Sequence, residues 1–266
     1  MNMLVCIKQV PDTTEIKIDP VTNTLIRAGV PSIVNTFDAY ALELAARIKD
    51  ANPGSRIVLV SMGPPQAKDA LKECLSVGGD TAYLVSDRAF GGSDTLATSY
   101  ILSRALQKIE EKEGHFDVIF CGKQAIDGDT AQVGPEIAEH LDYPQITYAV
   151  EASAGTNSIT VKQETAEGFS LIEVKYPCLI TVTKPSFEPR YPTIKLRLAA
   201  NHTEIASLTA ADFELDLSKA GLKGSPTKVK STYTPTLKKS GQIFQEETDK
   251  QSAHKLFTVL CDTGLI

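Results

Sequence analysis

The run Cys121-Gly122-Lys123-Gln124-Ala125-Ile126-Asp127-Gly128-Asp129-Thr130-Ala131-Gln132-Val133-Gly134-Pro135 gathers the residue types in this chain best suited to holding a ligand. It follows an apolar stretch, Phe116 to Phe120, that reads as a buried strand, and precedes Glu136 to Leu141, which reads as a helix. Small and polar residues between a strand and a helix bring backbone N–H groups and a helix N-terminus together. That arrangement holds a phosphate, so a nucleotide is the natural guest. The plainer reading is a polar turn whose Asp, Thr and Gln residues cap a helix, and Asp129 with Gln132 three residues on suits that role. Asp127 and Asp129 would repel a diphosphate, so they are expected to accept backbone N–H bonds or to meet ribose and adenine donors. Thr130 and backbone amides are better phosphate ligands, and Lys123 either neutralises phosphate charge or is an ordinary surface lysine.

The elements that must position this loop follow from short apolar runs alternating with helical patterns. Strands are expected near 3–9, 56–62, 81–85 and 116–121, and helices near 37–50, 65–77, 94–112 and 131–141, which predicts a mainly parallel sheet. In the first helix Ala41, Leu44, Ala45 and Ile48 recur at helical spacing, Asn35 can cap its start, and Pro53-Gly54 ends it. Segments 158–162 and 169–175 read as paired β segments joined by a polar turn, and 178–182 adds a strand. After Lys184, Pro185, Pro189 and Pro192 stiffen an extended loop expected to be exposed. From about Ser225 the chain is rich in Lys, Thr and Pro, and it ends in a helical stretch near 246–260 whose Leu256, Phe257, Val259 and Leu260 suggest docking onto something.

Composition narrows the classes. A chain of 266 residues that is 42% hydrophobic can bury a sizeable core. The net charge of −6, with dispersed Lys and Arg, argues against nucleic acid as a partner. The five cysteines form no Cys-x-x-Cys pair and the four histidines show no ligand-like or triad-like spacing, so metal or hydrolytic chemistry has no visible carrier. No apolar run reaches the roughly 18 residues of a membrane span, and the N-terminal run is interrupted by Lys8 with no cleavage pattern, so a cytoplasmic location without membrane insertion is expected.

In an open α/β sheet, ligands lie beyond the carboxyl ends of the strands. This rule selects Cys6 to Pro11, the helix entrance Asn35-Thr36-Phe37-Asp38, Met62-Gly63, the loop Phe90-Gly91-Gly92-Ser93-Asp94-Thr95, and the run after the fourth strand, all of which can face one crevice.

The long run resembles the nucleotide-binding signature of the electron-transfer flavoprotein β subunit, Gly-Lys-Gln-Ala-Ile-Asp-x-Asp-x-x-Gln, at Gly122, Lys123, Gln124, Ala125, Ile126, Asp127, Asp129 and Gln132. Leu4 to Val10 and Glu188-Pro189-Arg190-Tyr191 fit the same family, so the resemblance spans nearly the whole chain. It implies that Cys6, Asn35, Thr36, Phe37, Asp38, Met62 and the run from Gly122 to Val133, with Gly128, Thr130 and Ala131 between the matched positions, surround the adenosine and phosphate part of a nucleotide. The Phe90 to Thr98 segment, like Gly128-Asp129-Thr130 and Gly134-Pro135-Glu136, resembles the electron-bifurcating members. This favours a full FAD over the structural AMP of other members, with Gly91 and Gly92 letting the backbone approach a flavin or nicotinamide and with Asp94, Thr95 and Thr98 opening the next helix near its phosphates. A tight turn capped by Asp94 is the structural alternative for that segment.

The expected fold is therefore α/β and Rossmann-like: a mainly parallel twisted sheet with helices on both faces that binds an adenine nucleotide, a β-hairpin region, and an extended C-terminal arm. Residues 1–224 would form the FAD-binding domain, with a recognition loop at about 184–200, and 225–266 an arm on the α subunit. The implied function is to accept hydride from NADH and to split the electrons between a low-potential ferredoxin or flavodoxin and the α-subunit FAD that feeds an acyl-CoA dehydrogenase. No catalytic side chain is needed, because the flavin does the chemistry. Phe187-Glu188-Pro189-Arg190-Tyr191 matches the dehydrogenase-recognition segment, but Ser186 stands where some relatives carry an anchoring leucine, which leaves Phe187 as the expected apolar anchor. The other readings are a non-bifurcating subunit that binds AMP, an ATP-cleaving enzyme of the related adenine-binding folds, and a nucleotide-sensing stress module. The ATP-cleaving enzyme would carry its glycine loop after the first strand, and the stress module would be much shorter.

Overall fold

The computed structural model describes residues 1–12, 31–230 and 241–266. Its centre is a nine-stranded sheet. Strands β1 (Asn2–Cys6), β4 (Arg56–Met62), β5 (Thr81–Val85) and β6 (Val118–Gly122) come from the expected apolar runs, separated by α1 (Thr36–Ala51), α2 (Lys68–Leu75) and α3 (Thr95–Glu113). Two short strands, β2 (Gln9–Pro11) and β3 (Ser32–Val34), pair antiparallel apart from the main sheet, so the first strand is shorter than its apolar run suggested. After β6 come α4 (Val133–Leu141), β7 (Gln145–Ala154), β8 (Ser158–Thr165), β9 (Gly168–Lys175), β10 (Cys178–Val182), α5 (Ile194–His202), β11 (Ala206–Leu208), a single turn α6 (Gly221–Gly224) and α7 (Asp249–Asp262).

The strand order is β11-β5-β4-β1-β6-β10-β7-β8-β9, parallel from β11 through β7 and antiparallel in the β7-β8-β9 extension. From β1 the chain steps outward through β4 to β5 and then returns to lay β6 on the other side of β1. The order thus reverses between β1 and β6, the place at whose carboxyl ends an open α/β sheet has its ligand crevice.

Both faces of the sheet are covered. One carries α1 and α2, where Leu42, Leu44, Ile48 and Leu71 pack on Met3, Val5, Leu59 and Phe120. The other carries α3 and α4, where Ile101, Ala105, Leu106 and Ile109 recur at helical spacing and pack on Leu4, Val58 and Ile119. Each fully buried aliphatic or aromatic side chain contributes roughly 1.5–3 kcal/mol to holding these layers together.

Several elements differ from the sequence reading. Strand β7 was not expected, because Gln145, Thr147, Tyr148 and Glu151 break any apolar run. It pairs parallel with β10 and antiparallel with β8, so its two sides meet different surroundings. The segment after Lys184 is not extended throughout: once past Pro192, Thr193 accepts a hydrogen bond from Leu196 N (3.2 Å) and starts α5. Helix α7 begins with a Thr248/Gln251 capping box and buries none of its residues against the rest of the chain. Part of the Lys, Thr and Pro rich stretch, 231–240, lies outside the described residues.

Candidate nucleotide-binding crevice

The first wall of the crevice is built by α1 meeting the end of β6. A Cβ at Gly122 would lie 2.7 Å from the Phe37 carbonyl carbon and 2.8 Å from Asp38 N, and would collide with Asp38 Oδ1, so only glycine lets the helix sit this close. The Asp38 carboxylate then joins the two strand ends. It accepts Lys8 N–H at 2.7 Å, just past β1, and Gly122 N–H at 3.1 Å, at the end of β6. Burial pushes the Asp38 carboxyl up to about 7, against the hydrogen bonds from Asn35, Lys8 and Gly122 that hold it down.

Asn35 does not cap α1. Its Nδ2 donates to Gln124 O (2.8 Å) and its Oδ1 accepts from Ile126 N (3.0 Å), so it pins the signature loop to the helix entrance. Thr36 is exposed beside it, while Phe37 packs partly into the core. Asp127 and Asp129 meet side chains rather than backbone amides: Lys8 Nζ lies 2.6 Å from Asp127, and Gln124 Nε2 donates to Asp129 at 2.6 Å. Asp129 and Gln132 form no capping pair, and α4 starts at Val133 without a side-chain cap. No side chain caps the Val133 and Gly134 amides, Pro135 has no N–H, and Glu136 N–H donates to Gln132 O (2.9 Å), so two first-turn amides could meet a ligand. Asp129 and Ala131 hold left-handed backbone, φ 51° and 54°, which turns the loop over the crevice at the strain usual for functional loops. Gly128 and Thr130 are exposed at its tip, and Lys123 leans toward the Tyr148 ring at 5.0 Å. Cys6 and Cys121 stand side by side on β1 and β6, and the Cys6 thiol together with burial pushes the Cys121 thiol well above its usual value.

The second wall is the segment from Phe90 to Thr98. Asp94 caps α3 by accepting Ala97 N–H (3.1 Å) and also accepts Thr227 N–H (2.9 Å). Thr95 Oγ1 lies 3.2 Å from both Gln132 Oε1 and Glu136 Oε1, so this segment and the signature loop close on one space. Thr98 lies in the first turn of α3, and Met62 is half-buried at the end of β4, beside β1. Two expected residues are used otherwise. Phe90 is buried and stacks near Phe213 (6.3 Å) in the core. The close approach that Gly92 permits, at φ 76°, is taken by Leu222, whose Cβ would lie 3.3 Å from an added Cβ and whose N–H donates to Gly91 O (3.2 Å).

Glu136, outside the sequence-derived set of ligand residues, has a buried Oε2 with no hydrogen-bond partner. Its sequence signals were its place in the first turn of the helix and the resemblance of Gly134-Pro135-Glu136 to the bifurcating members. Gly134 is itself required, since a Cβ there would lie 2.7 Å from Thr181 Cγ2 where α4 crosses β10.

The Phe187 to Tyr191 segment is not wholly exposed. Phe187 turns inward against the core with the Arg47 guanidinium 4.0 Å above its ring, so it does not stand out as an anchor. Pro189 is half-buried, Arg190 is tied to α1, Glu188 is exposed, and Tyr191 is 94% exposed.

A mostly parallel sheet covered on both faces, with a polar loop and an uncapped helix start at its reversal point, defines an α/β protein of the class whose ligands lie at the carboxyl ends of the strands. The electron transfer flavoprotein domain model matches residues 22–213. An electron transfer flavoprotein subunit beta of Megasphaera elsdenii is 52% identical over 255 residues, covering 95% of this chain and 94% of that one. The caffeyl-CoA reductase-Etf complex subunit CarD of Acetobacterium woodii is 44% identical over 266 residues, covering all of both. Protein FixA of Azotobacter vinelandii is 47% identical over 240 residues, 88% of this chain and 84% of that one. The chain belongs to the electron transfer flavoprotein β-subunit family, and its role is in electron transfer. Among the described residues no helix is long and apolar enough to cross a membrane.

Proposed function

We propose that this chain is the β subunit of an NADH-oxidising, electron-bifurcating electron-transfer flavoprotein that binds FAD in the β1/β6 crevice. The observation that carries this reading is the meeting of Thr95 with Gln132 and Glu136, which makes the diglycine segment and the signature loop walls of one site. A dinucleotide is long enough to lie along both segments. The residues fit such a group: the uncapped start of α4 and Thr130 suit the diphosphate, and the orphaned Glu136 Oε2 suits a hydroxyl donor of ribose or ribitol. When bound, FAD supplies hydride acceptance from NADH and release of electrons one at a time. The protein's own part is to hold and orient. Asp38 and Asn35 fix the loop geometry, and Lys8 neutralises Asp127 so that it does not repel phosphate.

The electrons pass in this reading to a ferredoxin or flavodoxin and, through an α subunit, to an acyl-CoA dehydrogenase. The CarD relative's name, which joins an Etf to a CoA-ester reductase, supports the second destination. Helix α7, with Leu256 and Phe257 exposed, suits docking on the α subunit, and the assembly is cytoplasmic. One observation favours the AMP-binding alternative: Leu222 fills the open side of Gly92, where a flavin ring would otherwise come close. Nucleotides released by denaturing the purified α/β heterodimer and separated by chromatography decide between the two. Two FAD per heterodimer without AMP supports bifurcation, whereas one FAD with one AMP overturns it.

A further inference from the structure

Helix α1 carries a second buried carboxylate, Glu43, that the crevice does not use. It is 4% exposed, and besides Arg47 on its own helix its partner is Arg190, from a segment far along the chain. Glu43 Oε2 accepts Arg190 Nε (2.7 Å) and the Arg190 backbone N–H (3.1 Å), while Oε1 accepts Arg47 Nε (2.7 Å) and lies 3.3 Å from Arg190 Nη2. Arg190 also reaches Asp50 at 2.9 Å. Burial alone would raise the Glu43 carboxyl, but the two guanidinium groups hold it below its usual value, so the pair is charged across the neutral range. The same Arg47 stacks on Phe187, fastening the segment three residues before Arg190 as well. Two fastenings that bracket Glu188 and Pro189 leave Tyr191, the next residue, standing 94% exposed on a fixed base.

We infer that Glu43 is a positioning residue: its buried carboxylate latches the 187–191 segment to α1 and so presents Tyr191 in a set orientation to the electron-accepting dehydrogenase. This rests on the reading of 187–191 as the docking segment. A docking side chain held in place before encounter loses less conformational freedom on binding, so the latch acts on affinity and not on the rate within the complex.

The test uses the full heterodimer carrying Glu43→Gln, with Arg190→Gln as a second variant that opens the latch from its less buried side. Hydrogen exchange at the Arg190 amide, which donates directly to Glu43, is expected to quicken about tenfold in Glu43→Gln, the loss of a charge-assisted bond. With acyl-CoA dehydrogenase as acceptor, KM is expected to rise by about the same factor in both variants while kcat and nucleotide content stay at wild-type levels, and the double variant is no worse than either single one. A purely structural loss would instead lower nucleotide content and kcat together and would overturn the inference. Tyr191→Ala separates the two levels of the argument. If it raises KM and Glu43→Gln does not, the latch is wrong; if Tyr191→Ala leaves KM unchanged, the docking reading itself fails.

Discussion

Asp38 makes stability depend on pH in a direction opposite to that of most carboxylates, and the size of the effect can be worked from its surroundings. Its carboxyl titrates near 3.8 when exposed and near 7 when folded. Because the folded value is raised, the unfolded chain gives up this proton first, and stability falls as pH rises through the interval between the two values. The full shift corresponds to about 4 kcal/mol, of which about 2–3 kcal/mol is lost between pH 5 and 8. The other titratable groups coupled to Asp38 are Lys8, whose charge opposes the rise, and the Cys74 and Cys121 thiols, which burial and their neighbours keep neutral. Asp38→Asn removes the titration. The amide turns its oxygen to Lys8 N and sets its NH2 against Gly122 N–H, an unmade bond costing about 1–3 kcal/mol. That cost is the same at every pH and cancels from the slope. Urea unfolding of the α/β heterodimer, followed for this chain by pulse proteolysis, should therefore show the deficit of the variant shrinking by about 2–3 kcal/mol from pH 5 to pH 8. Parallel pH profiles for wild type and variant would refute the account of a carboxylate whose proton affinity burial raises.

Gly122→Ala forces α1 away from β6, since its methyl group meets the Phe37 carbonyl carbon at 2.7 Å and Asp38 N at 2.8 Å. It should cost about 1–3 kcal/mol or more and strip nucleotide from the purified heterodimer, and full nucleotide occupancy at wild-type stability would count against the helix placement. Glu136→Ala removes the orphaned oxygen beside Thr95 and should weaken nucleotide retention about tenfold in equilibrium dialysis, with little change in unfolding midpoint. An unchanged affinity would mean that no ligand hydroxyl reaches Glu136.

The strand-loop-helix unit at 116–141 was legible because a strong apolar run ends abruptly in a glycine-rich polar loop, and the four early βα repeats were legible for the same reason. Asn35 and Asp38 were identified as site residues, but their part could not be read. A sequence shows a polar residue at a helix entrance and suggests a cap, whereas Asn35 in fact bonds Gln124 and Ile126, about ninety positions later. Phe90 and Gly92 were read as ligand contacts because their segment resembles that of the bifurcating members and a diglycine lets the backbone approach a flavin or nicotinamide. Only the fold reveals Phe213 and Leu222, brought back from more than one hundred positions away to occupy them. Strand β7 escaped notice because a bulge near Tyr148, at φ 57° with register shifts against both β10 and β8, breaks its period-two alternation.

The two buried carboxylates of α1 lie five residues apart, about 7.5 Å along the helix axis, and they solve the same burial problem with different partners. Asp38 is met by the neutral Asn35 side chain and two backbone amides, which stabilise its charge only in part, so burial raises its proton affinity into the neutral range. Glu43 is met by two guanidinium groups, and its proton affinity falls. A change from pH 8 to pH 5 therefore alters the charge at the nucleotide crevice and leaves the latch on the 187–191 segment intact, although one rigid helix carries both. If acidification weakened dehydrogenase docking and nucleotide retention in step, the two ends of α1 would have to be coupled. If it touched retention alone, the helix would be a common support for two independent contacts, which is what the opposite directions of the two shifts imply.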